Sequence, residues 1–149
     1  MMAGIRSKDT KPELTLRRAL HARGLRYRLH DRKLPGKPDI VLRRYKAAIF
    51  VHGCFWHRHE GCRYTTIPAT RTEFWEEKFR ANVLRDQRNL KLLRDAGWRV
   101  AIIWECDLKN YAPNVVASEI NDWLQQTTPH QQTRAHGDDF VILWSQNET

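Results

Sequence analysis

Two nearly uninterrupted apolar runs, Ala47–His52 and Trp98–Trp104, constrain the fold more than anything else in this chain. Both are too short for a helix and too apolar for a half-exposed strand, so each reads as a buried strand that needs cover on both faces. The cover is encoded around them. A long helix is predicted from about Thr72 to Ala96, closed by Gly97. Thr10-Lys-Pro-Glu13 reads as a capping box, with Thr10 as N-cap and Glu13 reaching back, ahead of a helix carrying Leu14, Leu16 and Leu20 that stops at Gly24. A further helix is expected near Pro113–Gln126, with its proline in the first turn. Shorter extended segments are expected at Leu25–His30, ending at the turn Asp31-Arg-Lys33, and at Asp39–Leu42. Residues 53–71 read as an irregular loop, 127–137 as a polar linker, and Phe140–Trp144 as a last strand able to dock. There is no internal repeat. This order predicts an α/β fold, a mixed sheet flanked by helices.

The 149 residues suffice for one domain, expected over 1–126 with a tail at 127–149. The formal charge is +9, and through Lys46 there are 14 Lys+Arg against 4 Asp+Glu, while the rest has 12 against 13. The positive excess thus sits in the first third, where it can face phosphates or simply form a basic, solvated surface. No apolar stretch approaches the roughly 20 residues needed to span a bilayer, and Met1–Thr10 has no apolar signal region. The expected compartment is a reducing cytoplasm, at the bacterial nucleoid. There, three cysteines are better explained by thiols or metal than by disulfides.

The densest constellation runs from Val51 to Cys62. Cys54-x4-His59-x2-Cys62 lets one loop wrap a tetrahedral ion, and Cys106, at the end of the second buried run, can complete a closed Cys3His shell of the kind that holds structural Zn2+. The alternative is two buried thiols and a surface histidine. His52 and His57 adjoin the end of the first buried run. Asp39 opens the preceding strand among apolar neighbours, either as a turn or cap residue or as the oxygen anion for a hard cation such as Mg2+. On the long helix, Trp75, Phe79, Val83, Leu90 and Leu93 mark one face, and Asp86 lies on it. A carboxylate in an apolar stripe needs a partner. It either pairs with Arg85 or Arg88, or orients a histidine that accepts a proton from water. Phe55-Trp56, two large aromatics in a polar loop, either cap the zinc site or wedge between base pairs.

Four segments occur in order: Leu34-Pro-Gly-Lys-Pro-Asp-Ile-Val41, Phe50-Val-His-Gly-Cys-Phe-Trp-His57, Pro68-Ala-Thr-Arg-Thr-Glu-Phe-Trp75, and Gly97-Trp-Arg-Val100 with Trp104-Glu-Cys106. From Met2 to Asp107 the chain resembles the very short patch repair (Vsr) endonuclease family. The resemblance implies a restriction-endonuclease-like core and nicking of double-stranded DNA 5′ to the thymine of a T·G mismatch, the product of 5-methylcytosine deamination. It implies catalytic Mg2+ on Asp39 and the backbone carbonyl of Val51, a general base in His57 paired with Asp86, and His52 near the scissile phosphate. Glu13 matches an acidic residue near the site. Cys54, His59, Cys62 and Cys106 match the zinc ligands, and Phe55 and Trp56 the intercalating wedge. Met2 stands where the family's longer N-terminal arm carries a methionine beside the wedge, and Glu60-Gly61 adds a residue before Cys62. A monomer is expected, with mismatch-repair proteins and a DNA polymerase as partners. Two rival functions are a zinc-stabilised DNA-binding module without catalysis and a restriction-type nuclease of the same core with another target.

Overall fold

A computed structural model of the chain describes residues 10–126 and the strand Phe140–Ile142. The first apolar run forms β3 (Ala47–His52), the centre of a five-stranded sheet in the order β1-β2-β3-β4-β5. On one side β3 pairs antiparallel with β2 (Ile40–Leu42), which pairs antiparallel with β1 (Arg28–Leu29). On the other it pairs parallel with β4 (Arg99–Trp104), Ala47 opposite Arg99 and His52 opposite Trp104. β5 (Phe140–Ile142) adds to β4 in parallel. The crossover that a parallel β3–β4 pair requires is α2 (Thr72–Asp95).

The strands read as continuous apolar runs because both faces are covered. Ile40, Leu42, Ala47, Ile49, Ala101 and Ile103 point into one core, against α1 (Lys11–Ala22) and α4 (Pro113–Gln125). The alternate residues Val41, Ala48, Phe50 and Val100 meet Leu93 and Trp98 on the α2 side. Ile102 and Trp104 continue that face into a third cluster with Cys54 and Cys106. The mixed sheet flanked by helices is the architecture expected. Among the described residues no helix is long and apolar enough to cross a membrane.

Several expectations shift at element ends. The strand expected over Leu25–His30 is only Arg28–Leu29. The reason lies in how α1 stops: Gly24 takes φ +85°, its N–H bonds to His21 O and that of Leu25 to Leu20 O, so Leu25 is spent on closing the helix. α2 ends the same way, with Gly97 at φ +88° and Trp98 N–H bonded to Leu93 O. Asp39 stands just before β2 rather than in it. Cys106 lies not at a strand end but in the first turn of an unexpected short helix, α3 (Glu105–Asn110), where Asp107 Oδ2 accepts the Trp104 N–H at 3.3 Å. Thr10 caps α1 by accepting the Glu13 N–H. The Glu13 side chain is turned into the interior, its Oε2 meeting Arg17 and His30. Met2, the linker at 127–137 and Leu143-Trp144 lie outside the described residues.

Candidate active site and metal centre

The ends of β2 and β3, the loop after β3 and the middle of α2 enclose a cavity of about 390 Å3, lined by Asp39, Val51, His52, His57 and Asp86 together with His30. Asp39 is fixed there by strand pairing, because its Oδ2 accepts the Val51 N–H at 2.7 Å and so ties the start of β2 to β3. Burial pushes its carboxyl up to about 6; the Val51 hydrogen bond opposes this, the nearby Glu13 charge adds to it, and His30 and His57 oppose it. An ionised Asp39 therefore lacks solvation that a cation would restore.

His52 ends β3 and is buried. Its ring meets Trp104 edge-on at 5.3 Å and stacks on His57 at 3.8 Å with 6° between the planes. Burial first, and His57 second, hold it well below the usual imidazole range, so at neutral pH it carries no charge. His57 is brought over it by the turn in which its N–H bonds Gly53 O. From the helix side Asp86 Oδ2 meets His57 Nδ1 at 2.6 Å. Of the two partners open to Asp86 the histidine is the one observed, while Arg85 donates to Asn82. With Asp86 ionised, Nδ1 carries the proton and Nε2 is left as the basic nitrogen. Three residues spread over 47 positions of sequence, Asp39, His57 and Asp86, thus line one cavity.

The second cluster lies behind the first. Ligand atoms of Cys54, His59, Cys62 and Cys106 all fall within 4.8 Å of one another. The loop is wound to do this by His59 N–H to Cys54 O and Cys62 N–H to His59 O, with Gly61 at φ +75°. His59 Nδ1 lies 3.4 Å from Cys106 Sγ, and its ring stacks on Trp104 at 4.1 Å. Burial pushes both the Cys54 and Cys106 thiols up; hydrogen bonding to Cys106 opposes this at Cys54, whereas Cys54 adds to it at Cys106. Thiols packed this way ionise only against a cation, and three sulfurs with one imidazole suit Zn2+ in a closed tetrahedron.

Phe55 and Trp56 do not cap that cluster. Phe55 packs edge-to-face on Trp56 and on Phe79 at 5.0 and 5.1 Å, and Trp56 meets Trp75 at 5.9 Å, so both rest half-buried on the N-terminal half of α2. The Arg58 guanidinium covers Phe79 at 3.8 Å and donates to Phe55 O and Thr66 O, fixing the loop beside them. His30 is a lining residue that sequence reasoning missed. It sits after β1, with Nδ1 3.6 Å from Asp39 Oδ1 and Nε2 3.1 Å from Glu13 Oε2. The β1–β2 register, which sets Leu29 opposite Ile40, is the signal that would have found it.

The family model for the DNA mismatch endonuclease Vsr matches residues 1–63. The chain is 43% identical over 126 residues to the DNA mismatch endonuclease Vsr of Escherichia coli, covering 83% of this chain and 80% of that one. It is 48% identical over 110 residues to the type II nicking enzyme V.XorIIP of Xanthomonas oryzae pv. oryzae, covering 74% and 80%. It is 47% identical over 112 residues to the type II nicking enzyme V.NmeAIP of Neisseria meningitidis, covering 75% and 79%. With identities this high over most of both chains, the protein belongs to the Vsr family of DNA endonucleases.

Proposed function

We propose that this chain nicks one strand of duplex DNA 5′ to the thymine of a T·G mismatch, using a restriction-endonuclease-like core, and that it depends on Mg2+. The observation that carries the reading is the His57–Asp86 pair at 2.6 Å, opening onto the same cavity as Asp39. His57 Nε2 takes the proton of a water attacking the phosphorus while Asp86 holds the ring and offsets the imidazolium charge; the P–O bond opposite the attack breaks, the leaving sugar oxygen takes a proton from water, and His57 releases its own to solvent. Neutral His52 supports the His57 ring by stacking and lies beside the phosphate without adding charge. Asp39 and the Val51 carbonyl would hold Mg2+, which would supply neutralisation of the phosphate's charge and acidification of water. Glu13 stands behind Asp39 as part of the acidic wall. Cys54, His59, Cys62 and Cys106 would hold Zn2+, which would brace the loop that carries His57 to Asp86. Phe55 and Trp56 leave their shelf on α2 to part the mismatched step, with Met2 as the candidate to assist. The enzyme acts as a monomer in the cytoplasm, at the nucleoid, and a DNA polymerase and mismatch-repair proteins complete the repair.

A second reading is favoured by the relatives named as nicking enzymes: strand nicking of the same chemistry on another target duplex. A panel of end-labelled duplexes carrying T·G, other mismatches or only matched pairs separates the two. The proposal expects one cut strand, with T·G preferred and no product without a divalent cation. Equal cutting of matched DNA, or cleavage of both strands, overturns it. Asp39→Ala should abolish nicking and leave mismatch binding largely intact; a DNA-binding module without catalysis would give binding and no product from either form.

A further inference from the structure

The cavity that holds Asp39 and His57 has a basic rim that the mechanism above does not use. Arg32 and Lys37 line it from the connection between β1 and β2, and Arg85 lines it from α2. Arg85 donates to Asn82, whereas the exposed Arg32 and Lys37 side chains have no hydrogen bond or ion pair among the described residues. The acids nearby are already engaged. Asp31 Oδ1 accepts the Lys33 N–H at 3.0 Å and its Oδ2 meets Arg43 at 2.9 Å, so its charge is spent on Arg43 rather than Arg32. Asp39 is tied to the Val51 N–H, and Asp86 to His57. The turn that carries Lys37 is fixed in place. Its N–H bonds Leu34 O at 3.0 Å, and Gly36 before it takes φ +77°. A Cβ on Gly36 would lie 3.1 Å from the Phe50 ring and from Asn89 Cβ, so the turn is pressed onto both β3 and α2. Lys37 stands at φ +50°, a left-handed conformation that a lysine adopts only where its surroundings impose it.

We propose that Arg32 and Lys37 form a phosphodiester subsite at the rim of this cavity, gripping the phosphates next to the scissile one on the cut DNA strand. The inference rests on the reading of the cavity as the cleavage site. Lys37 stands two residues before Asp39 and shares the cavity with it, so a scissile phosphate at Asp39 brings its neighbours on the same DNA strand to this rim. Two cations without a counter-ion at the mouth of a cavity attract an anion, and DNA presents one at every nucleotide. Phosphate contacts fix register and orientation but carry no sequence information. The subsite therefore seats the DNA strand for cutting, and the choice of base pair is left to other residues. It also divides the chain's positive excess into two parts. Arg44, between β2 and β3, sits at the opposite end of these strands from Asp39 and His52, and belongs to the solvated basic surface.

The test measures binding of the whole protein, with Mg2+ omitted, to T·G and matched duplexes over a range of salt. Arg32→Gln and Lys37→Gln should each lessen the slope of log affinity against log salt by about 1, and should weaken both duplexes by the same factor. Lys37→Arg should keep the slope, and Arg44→Gln should leave it unchanged. With the unsubstituted protein, a neutral methylphosphonate placed in turn at each phosphate flanking the cut should weaken binding at one position or more, and Lys37→Gln should be insensitive at one of them. An unaltered slope in either Gln variant, with its melting temperature intact, overturns the proposal. So does an equal change in Arg44→Gln, the mark of a diffuse field. Methylphosphonates without effect on the unsubstituted protein overturn it even if the variants fail to fold. If Asp39→Ala still nicks, the reading of the cavity fails and this inference with it. If Asp39→Ala is inactive while Arg32→Gln and Lys37→Gln bind as before, only the subsite fails.

Discussion

Asp39→Asn should make the Mg2+-free protein more stable, and the gain should depend on pH. Burial raises the Asp39 carboxyl from 3.8 to about 6, so the folded chain binds this proton more tightly than the unfolded chain does. For a raised acid the folded state holds more protons between those two values, and stability falls as pH rises through that window. Below about pH 4 Asp39 is neutral in both states and costs nothing; above about pH 6 the full penalty is present. A shift of about two pH units corresponds to about 3 kcal/mol. Asn keeps an oxygen to accept the Val51 N–H but has no charge to desolvate. At pH 8 the variant should therefore melt higher by up to about 6–12 °C, at about 2–4 °C per kcal/mol for a chain near this size. The difference should shrink towards zero near pH 4. Calorimetry of both proteins across this range, dialysed free of Mg2+ but not stripped of zinc, measures it. Adding Mg2+ at pH 8 should then stabilise the unsubstituted protein and not the variant. A variant less stable at pH 8, or a difference flat with pH, would refute the claim that Asp39 is a desolvated carboxylate awaiting a cation.

Three further outcomes follow from the same geometry. Asp86→Asn replaces a charge-assisted contact of 2.6 Å by a neutral one; at about 1.5–3 kcal/mol for such a bond, single-turnover nicking should slow about 10–100-fold, and an unchanged rate would remove Asp86 from the mechanism. Stripping zinc with a strong chelator, or Cys54→Ser, should lower the melting temperature and nicking together, with elemental analysis finding one zinc per chain beforehand; a metal-free protein of full stability would contradict the Cys3His assignment. Phe55→Ala combined with Trp56→Ala should reduce the preference for T·G over matched duplex about tenfold or more, since unstacking one step costs a few kcal/mol. Competition binding reads this, and equal loss on both duplexes would rule out the wedge.

The parts of the fold legible in the sequence are those whose signal is local. Ala47–His52 and Trp98–Trp104 announced buried strands because both of their faces are covered, and α2 announced itself through one apolar face, Trp75 to Leu93, over about five turns. The Cys54–His59–Cys62 grouping was readable because one loop brings its ligands together. What the sequence hid depends on contacts between distant segments. α3 is six residues long and follows β4 with no break, so its pattern is lost in the strand's. Leu25 looks like strand, yet closes a helix. Asp86 was visible as an anomaly on an apolar face, but choosing His57 over an arginine required either the family resemblance or the fold. His30 carried no signal until β1 was paired with β2.

The central claim is that His57 Nε2 accepts the proton of the attacking water while Asp86 holds the ring, and single-turnover nicking of a T·G duplex by His57→Ala tests it most directly. With mismatch affinity verified as unchanged, the rate should fall on the order of 10²-fold or more, as for loss of a positioned base. A rate within a few-fold of the unsubstituted enzyme would contradict the account.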